Sequence, residues 1–313
     1  MASASASEAV ELRLPYRAPC DVDALVRFFA VRAVPGVEVV SDGAYYRSLR
    51  LEHGSGVVSL RAGDKAVATR LWLDDARDLD TAVAATRRLL DLDTDPAPII
   101  DTLGRDHLIG AIVQDAPGRR VPGVVEPNEL AIRAVLGQQV SLAGAATLAA
   151  RLVRAYGEPL ETPVGAVTHL FPSAAALADA DPDQLAMPWS RRRALIGLAT
   201  ALAQGEVVLD TRLMASDEIE RRLLELPGIG PWTVAYVAMR ALGDPDAFMP
   251  TDLGVRHGLE LLGCDGRPPS AVRIGERWRP YRAYATQHLW AQIALPAHPE
   301  SHAGGARAVP NTQ

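Results

Sequence analysis

The chain is expected to fold as an α+β protein, with a small antiparallel sheet and its helices first and a mostly helical region after it. Residues from about 10 to 73 alternate apolar and polar positions in five short segments, VELRLPY, VEVVSD, YYRSLRL, GVVSLRAG and AVATRLWL, the period of half-buried strands. From Asp74 onward the apolar period lengthens to that of helices, and nearly every break carries Gly or Pro. The switch divides the chain into a flexible N-terminus (1–9), a sheet-plus-helix domain (10–92), a helical region of two subdomains (93–296) and a flexible tail (297–313).

In the sheet region Asp42-Gly43 and Gly63-Asp64 separate strands, because these residues tolerate the left-handed backbone of tight hairpins. One helix is expected there, near Asp21 to Val34. Further helices are expected at Asp78 to Asp91, Asn128 to Leu136, Ser141 to Tyr156, Ser190 to Gln204, Asp217 to Leu226, Pro231 to Leu242, Thr251 to Leu262 and Arg279 to Ala294. The helix from Asp217 opens with Asp217 and Glu220, spaced as a capping box, and Pro227-Gly228 ends it. Pro231 suits a first helical position, where its missing donor costs nothing.

Between those two helices lies LPGIGPWTVAY, Leu226 to Tyr236. Its glycines leave the amides of Gly228, Ile229 and Gly230 close together and aimed outward at a helix start, a cradle for one anion. Gly-X-Gly alone marks an ordinary turn between packed helices. About twenty residues on, the turn Pro250-Thr251-Asp252 begins another helix, where an acidic side chain also suits the dipole.

Helix, tight hairpin and helix resemble the helix-hairpin-helix motif of DNA repair proteins, which grips a DNA phosphate through backbone amides without reading bases. With the Gly/Pro-rich segment and the aspartate that follow, the chain resembles the superfamily of base-excision glycosylases named for those features, and within it the bacterial 3-methyladenine DNA glycosylase II branch. The likeness runs from Leu14-Pro15-Tyr16 through Ala33-Val34 and Tyr45-Tyr46-Arg47-Ser48-Leu49 to His288-Leu289-Trp290, leaving out the first residues and the tail after Pro296.

What the resemblance implies is a helix-hairpin-helix glycosylase fold with its active-site cleft between the helical subdomains, acting on double-stranded DNA with alkylated bases. It places the phosphate grip at Gly228, Ile229, Gly230 and Thr233, and the essential carboxylate at Asp252. Breaking the bond between base and deoxyribose builds positive charge on the sugar, so a carboxylate beside the anomeric carbon stabilises the transition state most. A pocket of electron-rich rings that stack on the extruded base maps onto Trp232, Tyr236, Trp290 and Phe28. Purines alkylated at N3 or N7 are cationic, which such rings favour, and they depart neutral, which removes the need for a strong general acid. Leu253 stands where the best-known members have a tyrosine, making one pocket wall aliphatic. The side chain that plugs the emptied stack maps onto Gln139, in the turn Gly137 to Ser141, where an apolar leucine is common. The same turn also reads as a plain interhelical connection capped by Ser141. A monovalent cation at the carbonyls of Leu224, Leu226 and Ile229 is the one cofactor the resemblance leaves room for.

Members that also cut the backbone form a Schiff base through a lysine at the position of Trp232; here Lys65 is the sole lysine, within the sheet region. A monofunctional glycosylase is therefore expected. A glycosylase for neutral bases such as uracil or deaminated purines, and a noncatalytic DNA-binding module, are the alternatives.

Composition agrees with an enzyme of two or three compact units: 313 residues, 48% hydrophobic, no apolar run of membrane-spanning length and no secretory signal, so a monomer in the cytoplasm near the nucleoid is expected. Cys20 and Cys264 are isolated and the seven histidines lack ligand spacing, so no catalytic metal or iron-sulfur cluster is expected. The net charge of −6 weighs against DNA, but Arg191-Arg192-Arg193 and the group Arg273, Arg277, Arg279 and Arg282 are local basic clusters that could meet phosphate.

Overall fold

A computed structural model describes residues 9–293; the segments expected to be flexible, up to residue 8 and from 297 to 313, lie outside it, as do His298 and His302. Strands β1 (Val10–Pro15), β2 (Glu38–Ser41), β3 (Ala44–Arg50), β4 (Ser55–Ala62) and β5 (Ala66–Leu73) form one antiparallel sheet in the order β1-β5-β4-β3-β2. Ser41 pairs with Ala44, so Asp42-Gly43 is a two-residue turn with φ of 52° and 71°, the left-handed pair that matches strand twist. On one face lies α1 (Val22–Ala30), shorter than expected and capped by Asp21, whose carboxylate accepts from the Ala24 amide at 2.8 Å. Leu25, Val26 and Phe29 of α1 share a core with Leu14, Tyr45, Leu60 and Leu71, closed by α2 (Leu79–Leu89) through Ala82 and Leu89.

The rest is helical with one exception: α3 (Ala97–Leu103), α4 (Gly110–Asp115), α5 (Pro127–Leu136) and α6 (Leu142–Tyr156) lead into a hairpin of β6 (Glu158–Val164) and β7 (Val167–Leu170). Helical patterning after Asp74 did not foresee this pair, because EPLETPV carries two prolines and reads as a loop. It forms because Leu160, Val167 and Leu170 cover Val57, Tyr46 and Trp72 on the outer face of the sheet. Then come α7 (Ala174–Ala178), α8 (Trp189–Ala203), α9 (Ser216–Glu225), α10 (Pro231–Val237), α11 (Leu253–Leu261), α12 (Pro268–Gly275) and α13 (Arg282–Ala291). Helices α3, α4, α7 and α12 are short or apolar only in part and escaped the sequence pattern.

Two cores organise these helices. One gathers Ile132, Leu152, Leu177, Leu195, Leu198, Ile219 and Leu223 from α5 to α9; the other gathers Leu103, Ile109, Leu259, Ile274, Trp278 and Leu289 from α3, α11, α12, α13 and the connections beside them. Helix α10 straddles them: Val234 and Val237 enter the first core, while Trp232, Ala235 and Tyr236 lie against the second. Helix α10 is thereby shared between the two.

The expected capping box is not formed. Helix α9 starts at Ser216 after Ala215 with no side-chain cap, so Asp217 lies inside the first turn, where only the dipole rewards it. The helix expected from Pro231 to Leu242 changes to a π-helical turn over Ala238–Leu242, ended by Gly243 with φ 72°.

Candidate active site

The hairpin exit fixes the first element of the site. Gly228 has φ 83°, a conformation that side chains rarely adopt, and a Cβ there would stand 2.7 Å from Cβ of Ala194 on α8. The Ile229 amide is spent on the Leu226 carbonyl at 3.1 Å, and the Ile229 side chain is buried, so this residue stabilises the turn and not an anion. Its expected place among the free amides is corrected accordingly. The amides of Gly228, Gly230, Trp232 and Thr233 have no acceptor among the described residues and sit at the positive end of α10. The Leu226 carbonyl, one of the three expected to face a monovalent cation, is the acceptor of the Ile229 bond.

Asp252 is the N-cap of α11. Its Oδ1 accepts from the Val255 amide at 2.9 Å and from the Trp290 indole at 2.8 Å, and its Oδ2 accepts from the Trp232 indole at 2.9 Å. A carboxylate has about four lone-pair sites, so three donors hold it in place and one site on Oδ2 stays open. Gly254 makes this possible: a Cβ there would meet Trp290 at 2.6 Å and Asp252 at 3.0 Å. Sequence reasoning passed over Gly254.

The rings assemble around the carboxylate. Trp232 and Tyr236 stack at 5.3 Å with 8° between planes, and Phe28 from the sheet domain stacks with Trp290 at 6.4 Å and 18°. Two arginines that the sequence reading did not name complete the wall. Arg32 stands 3.7 Å from the Phe28 centroid and Arg240 4.9 Å from the same ring, while Arg240 donates to the Tyr236 hydroxyl at 2.7 Å and to the carbonyls of Pro122 and Gly123. In the sequence Phe28/Arg32 and Tyr236/Arg240 are each four apart, the spacing of neighbours on the two expected helices, although Arg32 lies just past the end of α1 and Arg240 in the π-helical turn. Burial pulls the Arg32 pKa down to about 10, with Arg240 and Arg133 adding repulsion. Burial opposes ionisation of Tyr236, yet Arg240 and Arg32 outweigh it and hold the phenol below its ordinary pKa.

Leu253 is 76% exposed at the first position of α11, on the rim of the site. Gln139 is exposed with φ 55°, at the tip of a turn that Ser141 closes by capping α6 at the Gly144 amide. The Thr233 hydroxyl is buried and faces Gln138, which leaves only the Thr233 backbone for a phosphate. Lys65 lies at the β4–β5 turn with φ 55°. Of the basic clusters, Arg277 pairs with Asp106, Arg279 and Arg282 pair with Asp246 and Glu276, and Arg273 bonds Ser270, so that group serves the fold. Arg191 and Arg192 are also engaged, by the Gln138 carbonyl and by Asp183, while Arg193 has no polar partner among the described residues. Among the described residues no cluster of His, Cys, Asp or Glu could hold a metal ion, and no helix is long and apolar enough to cross a membrane.

Residues 11–126 match the model of the AlkA N-terminal domain, and residues 132–279 that of the HhH-GPD superfamily base excision DNA repair proteins. The chain is 49% identical over 300 residues to a probable bifunctional transcriptional activator/DNA repair enzyme of Mycobacterium tuberculosis strain H37Rv; the match takes in 95% of this chain but 60% of the length of that protein. It is 36% identical over 283 residues to DNA-3-methyladenine glycosylase 2 of Escherichia coli K12, covering 88% of this chain and 95% of that one. A solved 3-methyladenine DNA-glycosylase from Archaeoglobus fulgidus shares the fold with a TM-score of 0.76 at 20% identity, over 90% of this chain and 97% of that one.

Proposed function

The chain belongs to the HhH-GPD superfamily of base excision DNA repair proteins, and from that membership we propose that it is a monofunctional DNA glycosylase that flips alkylated, cationic purines such as 3-methyladenine out of duplex DNA and releases them by hydrolysis. One observation carries the reading. A carboxylate fixed by two indole N–H groups keeps a lone-pair site free beside two stacked pairs of rings, and a cluster of free amides opens the helix that supplies two of those rings. The amides take a phosphate of the lesion strand, the extruded base enters among Phe28, Trp232, Tyr236 and Trp290, and Asp252 faces the charge developing on the sugar and orients the attacking water. Leu253 and Gln139 lie at the rim, as lip and plug. The protein works as a monomer on nucleoid DNA in the cytoplasm.

Release of free methylated purine from methylated duplex DNA, followed by chromatography, tests this; no free base after prolonged incubation with wild type would sink it. Borohydride should trap no covalent adduct, and strands should break only after alkali, because no lysine stands at the site.

Arg32 and Arg240 favour a second reading. Two guanidiniums at one pocket wall oppose a second cation but stabilise the negative charge on a departing neutral base. Neutral deaminated purines would then be substrates as well. Arg32→Met should lower release of hypoxanthine by about tenfold and leave release of 3-methyladenine equal or faster; parallel losses on both bases would remove this reading.

A further inference from the structure

The side chain of Thr233 turns inward in the structure and receives Gln138 Nε2 at 3.1 Å, and the same nitrogen donates to the Gly228 carbonyl at 3.0 Å. The Gln138 carbonyl in turn receives Nη2 of Arg191 from α8 at 2.5 Å. Helix α8 also abuts the hairpin directly, with Ala194 filling the space beside Gly228. The turn 137–141, the phosphate-gripping hairpin and α8 thus converge on one residue. Its neighbour Gln139 is exposed in a left-handed conformation, and Val140 and Leu142 beside it are 37% and 38% exposed, which leaves apolar surface beside the turn tip.

We propose that Gln138 is a positioning residue for base extrusion, holding the wedge turn in register with the phosphate grip so that seating the backbone on the hairpin amides drives Gln139 into the stack at a set distance. The proposal rests on the base-flipping reading above. Extrusion has to overcome unpairing and unstacking, and a turn fixed beforehand does not also have to be ordered at that moment. Interaction energy from the phosphate contact is then available to the flip. A glutamate at 138 has the same shape but no donor, and it sets a carboxylate against the Gly228 carbonyl, so it cuts the tie without emptying the space.

The experiment uses the full chain and a duplex with one 7-methylguanine, either paired with cytosine or placed in a one-nucleotide bulge where little unpairing is needed. In single turnovers, Gln138→Glu should slow release from the paired site by about tenfold or more, with release from the bulge and affinity for undamaged duplex within about threefold of wild type. Gln138→Leu, which removes the donor without adding charge, should give the same pattern and covers the case in which the glutamate variant does not fold. Thr233→Val should slow the paired site in the same direction and add little to Gln138→Glu, since the bond it cuts is one of the two that Gln138→Glu already removes. Equal loss at paired and bulged sites, an unchanged paired rate, or additive effects of the two substitutions would overturn the proposal alone. Absence of release from either substrate by wild type would overturn the base-excision reading and this proposal with it.

Discussion

At Asp252 one carboxylate oxygen caps α11 and accepts from the Trp290 indole, while the other accepts from the Trp232 indole and keeps a lone pair free. The cap bond is the structural role that the sequence position alone suggests; the two indoles give the group an orientation that a surface cap lacks. Asp252→Asn keeps the volume but turns one oxygen into a donor facing an indole N–H, and it removes the charge that answers the sugar cation. Base release should fall by about a thousandfold while duplex affinity survives. A rate within tenfold of wild type in a single-turnover assay would deny Asp252 its role.

Among the elements, the hairpin separates the needs of fold from those of binding within three residues. Gly228 is demanded by the fold, through its φ of 83° and its contact with Ala194. Gly230 is not: its φ is −112° and nothing lies within 4 Å of where a Cβ would stand. Gly228→Ala should therefore lower the melting temperature, whereas Gly230→Ala should leave it unchanged and weaken binding to damaged and undamaged duplex alike, by about tenfold, because the methyl group fills the approach to the amides. Unaltered affinity in Gly230→Ala, read by fluorescence anisotropy, would make the loop a mere connector. The π-helical turn after α10 shows an element bent to a side chain's need, since it carries Arg240 to the carbonyls of Pro122 and Gly123 and to Tyr236.

For the molecule as a whole, the question is how a separate sheet domain can supply a pocket wall. A buried ring of two acids and two bases does it: Arg47 pairs with Glu38 at 3.0 Å and Glu129 at 2.7 Å, Arg133 pairs with the same two at 2.9 and 2.7 Å, and Arg133 also donates to the Arg32 carbonyl at 2.7 Å. Strands β2 and β3 are thus joined to α5, and the segment after Phe28 is held against the helical part. Glu126 lies beside this ring, with Arg50 3.8 Å away. Burial and then the Glu129 charge raise its pKa from the ordinary 4.5 to about 7. A carboxyl raised in the folded state binds more protons there than in the unfolded chain, so its contribution is favourable at low pH and is lost as pH climbs from 4.5 to about 7. Glu126→Gln should match wild-type melting near pH 4.5 and melt higher at pH 8; an equal difference at both values would show that Glu126 does not titrate there.

Local chemistry in the sequence by itself determined the α+β order of the chain, the Asp42-Gly43 turn, the hairpin around Gly228 and the cap at Asp252, since each depends on residue types at short, fixed spacing; Phe28 and Trp290, far apart in the chain, were linked only through the family resemblance. It missed the β6–β7 pair, whose prolines look like a loop until the sheet's apolar outer face is there to be covered. It also could not give the direction of a side chain that has several partners within reach. Thr233 could have faced a phosphate and instead receives Gln138, and the basic group around Arg279 could have faced DNA and instead neutralises Asp246 and Glu276. Those choices are made between groups up to 95 residues apart, as with Gln138 and Thr233, so only tertiary packing brings the competing partners together and decides which one wins.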